Sequence, residues 1–221
     1  MAAATLLNML KKITIIALAL AAWAVAACAA AEKGWTVLFD GKDFDGWMNS
    51  AGEKPGEGWV IEDGAMVRKP KAGDIWTKQR YGDFVLALEF QAKGNSGVFI
   101  RTDNPKDNVQ TGIEIQVDKP GAPGKHSVGA IYDLQPPSRN AATEGWNKMT
   151  ITAKGSVLKV ELNGQQIAEM NLDRWSESGV NPDGTKNKFK TALKDFKREG
   201  HIGFQDHGAE VAYRNVRLKP L

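Results

Sequence analysis

From Phe84 to Ala92 the chain reads FVLALEFQA, with Phe84, Leu86, Leu88 and Phe90 on one parity and Val85, Ala87, Glu89 and Gln91 on the other. Successive side chains of a strand point to opposite faces, so the segment predicts a β-strand with one face in a core. The same period of two recurs in GVFIRTD, GIEIQVD, NKMTITAK, SVLKVELNG and AYRNVRLKP, each bounded by Gly, Asn, Asp or Pro. Asn163-Gly164 and Asp63-Gly64 each separate two such runs, the pairing favoured by tight hairpins. No long stretch carries a helical apolar period, and no unit repeats at fixed length. The expectation is an all-β fold, a two-sheet antiparallel jelly-roll sandwich of roughly a dozen strands. It runs as one domain from residue 34 to residue 221, its last strand pairing with the N-terminal region.

The N-terminus breaks this pattern. Lys11 and Lys12 precede the apolar run ITIIALALAAWAVAA, which has the length and composition of a signal-peptide core. Cys28 follows Val-Ala-Ala and is the sole cysteine, so no disulfide forms within the chain. The VAAC stretch resembles a bacterial lipobox, and this implies that Cys28 is lipidated and begins the mature protein. Residues 1–28 are then a lipoprotein-type signal peptide and 29–33 a short tether. Ala29 is not the aspartate associated with inner-membrane retention, so the expected destination is the outer membrane or cell surface. A soluble periplasmic or secreted protein, released by an ordinary cut near Ala30, is the alternative.

Without residues 1–28 the chain has 27 basic and 26 acidic side chains. Such a balance, with no dense basic patch interleaved with aromatics, disfavours nucleic acid as a partner. The most basic window, KNKFKTALKDFKR, reads as a solvated loop or short turn in which Phe189, Leu193 and Phe196 anchor one side. RWSESGVNPDGTKN before it is a long polar connection, and long loops in compact domains are often functional.

Gly-x-Ser-x-Gly, phosphate-loop and His-Glu-x-x-His signatures are all missing. Acid–base chemistry must draw on His126, His201 and His207, on carboxylates, or on tyrosine and lysine. Four stretches carry candidates. In GIEIQVD, Ile113, Ile115 and Val117 share one face while Glu114, Gln116 and Asp118 share the other, either a wet surface or a polar cleft floor. In GHIGFQDHG, Gln205 and His207 point away from Ile202 and Phe204, and Gly203 and Gly208 leave room for close approach. In GNSGVFIR, Phe99 and Arg101 are expected on one face, a pair suited to a sugar or carboxylate and equally to a surface ion pair. In GAIYDLQPPS, Tyr132 precedes a proline-rich loop, either in the core or at a rim.

Taken in order, WTVLFDGKDFDGW, YGDFVLALEF, GNSGVFIR, GIEIQVD, GAIYDL, WNKMTITAKG, VELNG, NPDGTKNKFKTALKDF and REGHIGFQDHG…YRNVRLKPL resemble the 3-keto-disaccharide hydrolase family. The resemblance runs from Trp35 to Leu221 and implies a concanavalin A-like fold. It also implies hydrolysis of glycosides already oxidised to a ketone at C3. Such a ketone acidifies the C2 proton, so deprotonation, β-elimination of the C1 substituent and hydration together cleave the bond. The family pattern falls on Asn95, Ser96, Arg101, Glu114, Gln116, Asp118, Tyr132, Gln205, Asp206 and His207. It implies Glu114 and His207 as the proton-transfer pair, in either order. Asn95, Arg101, Gln116, Asp118, Tyr132 and Gln205 are then substrate contacts, with Asp118 positioning a neighbour. No cofactor is required. A divalent metal on Glu114 and His207 would polarise the ketone, but no ligand spacing demands one. The implied partners are a 3-keto-glycoside, the membrane through the N-terminal lipid, and a separate sugar 3-dehydrogenase that makes the ketone. A lectin-like carbohydrate-binding module without chemistry is the alternative function.

Overall fold

A computed structural model describes residues 33–221. The expected signal peptide with its lipobox Cys28, and all of the tether but Lys33, lie outside the described residues. In chain order the strands are β1 (Thr36–Phe39), β2 (Trp47–Asn49), β3 (Trp59–Glu62), β4 (Ala65–Arg68), β5 (Ile75–Thr77), β6 (Phe84–Ala92) and β7 (Ser96–Thr102). After a short helix, α1 (Asn108–Thr111), come β8 (Ile113–Val117), β9 (Asn147–Lys154), β10 (Val157–Leu162), β11 (Gln165–Asn171), β12 (His201–Phe204) and β13 (Val211–Pro220).

They form two antiparallel sheets, as the alternation predicts. The larger has eight strands in the order β11-β10-β9-β6-β13-β4-β3, with β1 also on β13. The smaller has five in the order β2-β5-β12-β7-β8. β4 pairs with Ala212 and Tyr213 while β1 pairs with Val216 to Leu218, so both share one edge of β13. The chain thus ends against its first strand. Asp63-Gly64 and Asn163-Gly164 turn their hairpins with φ of 49° and 73°, and of 50° and 79°, the two positive values such a turn needs.

Between the sheets lies the core. Phe84, Leu86, Leu88 and Phe90 of β6 face it and are buried, each contributing about 1.5–3 kcal/mol. Ile113, Ile115 and Val117 of β8, with Ile202 and Phe204 of β12, close it from the smaller sheet. Phe189, Leu193 and Phe196 are buried in the same core, so the basic window is a loop pinned by its apolar side chains.

Candidate active site

The face of the smaller sheet that turns away from the core is also buried. Cross-strand pairing makes a continuous row across it, Met48–Trp76–Gly203–Phe99–Glu114. A second row follows from the alternation: Asp74 precedes β5, Gln205 follows β12 with its N–H on the Gly97 carbonyl, and Gly97 pairs with Gln116. Trp76, Phe99 and Gln116 are fully buried, and Glu114 is only 7% exposed. The acid–amide face of GIEIQVD is therefore a covered polar floor, not a wet surface.

Two glycines hollow out this floor. A Cβ on Gly203 would run into the Trp76 ring, which lies tilted against Phe99 with centroids 5.5 Å apart. A Cβ on Gly97 would overlap the Glu114 carboxylate, which lies across that position. The loops above are tied down by polar contacts. Asn108 of α1 donates to Asp74 Oδ2 at 2.7 Å. Gln110 donates to the Lys188 carbonyl and accepts from the Lys190 N–H. Lys188 Nζ sits 3.8 Å from the centre of the Tyr132 ring.

Burial raises the Glu114 pKa to about 7; the Lys188 charge pulls it down and the Asp74 charge pushes it up. Asp74 is itself raised, first by burial and then by Asp206, against the hydrogen bonds it accepts from the Asp206 N–H and Asn108 and against the charge of His207. Asp74 thus links electrostatically to both Glu114 and His207.

The His207 turn is held from beneath. Asp74 Oδ1 accepts the Asp206 N–H at 2.8 Å, and Asp206 Oδ2 accepts the Gly73 N–H at 2.8 Å, a reciprocal pair. Burial works against the charge of Asp206, but the Arg68 guanidinium and the N–H groups of Gly73 and Gly208 outweigh it and lower its pKa. Asp206 is a structural anchor, and His207 stands exposed at the turn it fixes.

Gln116 shows how the floor is set. Its Nε2 donates toward Asn95 Oδ1, the Ser96 carbonyl and the Val117 carbonyl, at 3.0, 3.1 and 3.2 Å. Three acceptors around the nitrogen fix the amide's orientation and leave Oε1 buried without a donor. Gln205 Oε1 is buried and donorless as well. Both residues belong to the row that contains Gly97. Unpaired buried acceptors are costly in isolation and are what hydroxyl groups of a ligand, or water, would satisfy. Asn95 reaches the site through Gln116, whereas the Ser96 hydroxyl turns inward to the Gln205 carbonyl and Tyr213 hydroxyl, both at 2.7 Å. Asp118 continues the β8 face at its rim, its Oδ1 taking the Lys119 N–H at 2.7 Å. Tyr132 is half-buried, and its N–H bonds the Glu114 carbonyl at 2.9 Å.

Arg101 differs from the expectation. The register between β12 and β7 slips after Phe99, and Arg101 takes φ 51°, so a bulge turns its side chain off the cleft face. Its guanidinium is 1% exposed and donates to the Gly82 carbonyl at 2.9 Å, the Gly155 carbonyl at 2.6 Å and Asp83 at 2.7 Å. All three partners flank strands of the larger sheet, so Arg101 ties the two sheets together and holds no ligand.

Sequence reasoning passed over Asp74, Trp76 and Lys188. Asp74 leads into a strand of only three residues, too short for alternation to show, and Lys188 is one lysine among several in a basic loop. Among the described residues no three His, Cys, Asp or Glu side chains converge as a metal shell. A divalent ion at Glu114 and His207 would therefore lack a third ligand of these types among the described residues.

The fold and this site can be set beside known proteins. A protein from Parabacteroides distasonis whose crystal structure is described as that of a glycosyl hydrolase superposes with a TM-score of 0.75 at 29% identity, over 85% of this chain and 99% of its own. A second from the same organism, described in the same way, gives 0.69 at 26% identity, over 86% and 94%. The 3-keto-disaccharide hydrolase of Bacteroides thetaiotaomicron is 27% identical over 85% of this chain and 79% of its own length. The family model of the 3-keto-alpha-glucoside-1,2-lyase-like domain matches residues 34–219, and the chain belongs to that family.

Proposed function

We propose that the protein cleaves the glycosidic bond of 3-keto-glycosides by elimination and hydration. The observation that carries this reading is the buried Glu114 carboxylate, with a pKa raised to about 7, lying over a glycine floor beside the donorless oxygens of Gln116 and Gln205. A base tuned to neutrality suits removal of a proton from carbon next to a ketone, because it is partly ionised at working pH yet retains basicity. Glu114 takes the C2 proton and leaves an enolate across C2 and C3. The C1–O bond then breaks as His207 supplies a proton to the departing oxygen, giving an enone and a free alcohol. Water adds at C1 and a proton returns to C2, completing hydrolysis. Lys188, the cation coupled to Glu114, offsets the negative charge that builds on the enolate oxygen. Gln116 and Gln205 accept hydroxyl donors of the ring, and Tyr132 and Asp118 border it.

This route uses one base and a separate acid, and does not need the two carboxylates at fixed separation that paired-carboxylate glycosidases use. The family membership and the named activity of the Bacteroides relative support the same substrate class. The N-terminal signal and Cys28 extend the proposal to an exported, lipid-anchored enzyme at the outer membrane or cell surface. It would act on the product of a sugar 3-dehydrogenase. Incubation with a 3-keto-disaccharide, with and without chelator, tests the reading by product analysis. Release of both monosaccharide units, abolished in Glu114→Gln and His207→Ala variants that stay folded, is expected. Saturable binding with no product would instead make the protein a lectin-like module.

A further inference from the structure

The larger sheet has a concavity of its own, on the face that turns away from the core, and nothing in the chemistry above uses it. Met66, Phe90 and Tyr213 point inward from β4, β6 and β13, so their neighbours Val67, Gln91 and Ala212 point outward. Cross-strand pairing sets Val67, Ala212 and Gln91 side by side. The register of β6 on β9, with Phe90 opposite Asn147, continues this row to Trp146. Three inter-strand steps of about 4.8 Å make the row roughly 14 Å long. It runs through a trough of about 420 Å³, bordered by Glu62 and Asp63 of the β3–β4 turn on one side and by Trp146 and Arg214 on the other. The whole core separates this trough from Glu114, which lies on the outer face of the smaller sheet.

Trp146 is braced but not satisfied. The Arg214 guanidinium carbon lies 4.0 Å from the centre of its ring, and Arg214 Nε donates to Glu89 Oε2 at 2.8 Å. The ring is therefore held in place by a cation that is itself tied to the sheet. Trp47, Trp59, Trp76 and Trp175 each give their indole N–H to an oxygen of the protein. Trp146 gives its own to none among the described residues, and the Gln91 amide beside it makes no hydrogen bond to them either. The charges of the walls, by contrast, are cancelled in place. Glu89 pairs with Arg214, Lys93 with Glu210 at 2.9 Å and Lys69 with Glu62 at 2.8 Å, which leaves Asp63 as the one unpaired charge on the border.

We propose that this trough is a second binding site, which takes neutral units of a glycan chain and holds the protein on that chain while the Glu114 cleft stays free. A braced indole with a spare N–H, an amide that can both donate and accept, and a carboxylate acceptor stand over a strip of small apolar side chains, Ala65, Val67 and Ala212. These are the groups a pyranose needs, because its C–H face packs on apolar surface while its hydroxyls donate and accept. Walls whose charges are already paired give a charged ligand no partner, and Asp63 repels an anion. A row that crosses from β4 to the residue before β9 suits consecutive units of a chain better than a single ring. The assignment does not depend on the cleavage proposed above.

The test titrates the protein with maltotetraose, cellotetraose, glucose and a tetramer of galacturonic acid while the indole N–H signals are followed by NMR, with Trp146→Phe used for assignment. Saturable movement of the Trp146 signal with either neutral tetrasaccharide supports the site, whether or not the Trp76 signal, which reports the cleft, moves as well. No movement at Trp146 with either overturns it. Equal affinity for the acidic tetramer would overturn the neutral ligand, and equal affinity for glucose would overturn the chain. Two variants locate the binding. Gln91→Ala should weaken it about fivefold, the loss expected for one hydrogen bond, and Ala212→Leu, which fills the floor but removes no polar group, should abolish it. Affinity within about twofold of the unaltered protein in both variants overturns the assignment. Turnover of a soluble 3-keto-disaccharide should be unchanged within about twofold in Ala212→Leu, and a larger loss would overturn the separation of the two sites. If the unaltered protein cleaves no 3-keto-disaccharide, the catalytic reading falls, and the titrations still decide whether the trough binds a glycan.

Discussion

The carboxylate of Glu114 lies across Gly97, in the volume a Cβ there would fill, and the two residues sit on adjacent strands of the smaller sheet. Gly97 is not at positive φ, so Ala is allowed there by the backbone. Its cost falls on Glu114, whose Cγ and Cδ would also lie within 3 Å of the added methyl. Gly97→Ala is expected to displace the carboxylate, leave a cooperative thermal transition and lower kcat by at least tenfold, since small misplacements of a base are costly. Wild-type turnover by this variant would show that Glu114 is not the base.

The charges around Glu114 set the acid limb of activity. For a base, activity rises as the carboxyl ionises, so the limb should lie near pH 7. Lys188 holds the pKa down and Asp74 pushes it up. Lys188→Met should therefore move the limb to higher pH, and Asp74→Asn should move it to lower pH. A pH series of kcat/KM in the two variants reads these opposite displacements. Movement in the same direction would contradict the electrostatic assignment.

Much of this architecture was legible in residue order, and the losses have physical causes. Period-two alternation located β6, β8, β9 and β10 because each is long enough to show two faces and has one of them in the core. Asn163-Gly164 and Asp63-Gly64 located two turns because few other residues take paired positive φ. The face of Glu114 and Gln116 was legible, but its burial was not, since loops distant in sequence cover it. Arg101 was misplaced because a bulge breaks alternation after Phe99, and no composition rule marks a bulge that has no glycine at its left-handed residue. Asp74 reaches the site through tertiary contacts alone.

The raised pKa of Glu114 also has a stability consequence. Its folded value lies above the unfolded one near 4.5, so its contribution is fully present below that pH and is lost as pH rises through about 7. An ionised Glu114 then costs roughly 3 kcal/mol, the equivalent of its shift. Glu114→Gln should raise Tm relative to the unaltered protein at pH 8.5, and the gain should vanish near pH 4. Thermal melts across that range measure it, and a gain that did not depend on pH would point to packing instead of charge.

Arg101 gives a contrasting case, in which a buried charge is structural. Its three guanidinium nitrogens donate to Gly82, Gly155 and Asp83, and Asp83 also accepts the Gly155 N–H at 3.0 Å. Arg101→Met leaves two carbonyls and a carboxylate without their donor at the seam of the sheets. A loss of about 3 kcal/mol is expected by denaturant titration, with KM for the keto-glycoside changed little in the folded fraction. A large rise in KM at unchanged stability would return Arg101 to the substrate.

His207 depends on the anchor that directly precedes it in the chain. Asp206 clasps Arg68, Gly73 and Gly208 while its own N–H is held by Asp74, so the turn carrying His207 has little freedom to drift. Asp206→Asn removes the charge that pairs with Arg68 but keeps one acceptor for a backbone N–H. The imidazole should then sample a wider range, and proton delivery to the leaving oxygen should suffer more than binding does. The expected result is a kcat lower by about tenfold with KM within about twofold, and a smaller loss for leaving groups of low pKa, which need less acid assistance. Equal losses across a leaving-group series would mean that the turn positions something other than the acid, and would remove His207 from that role.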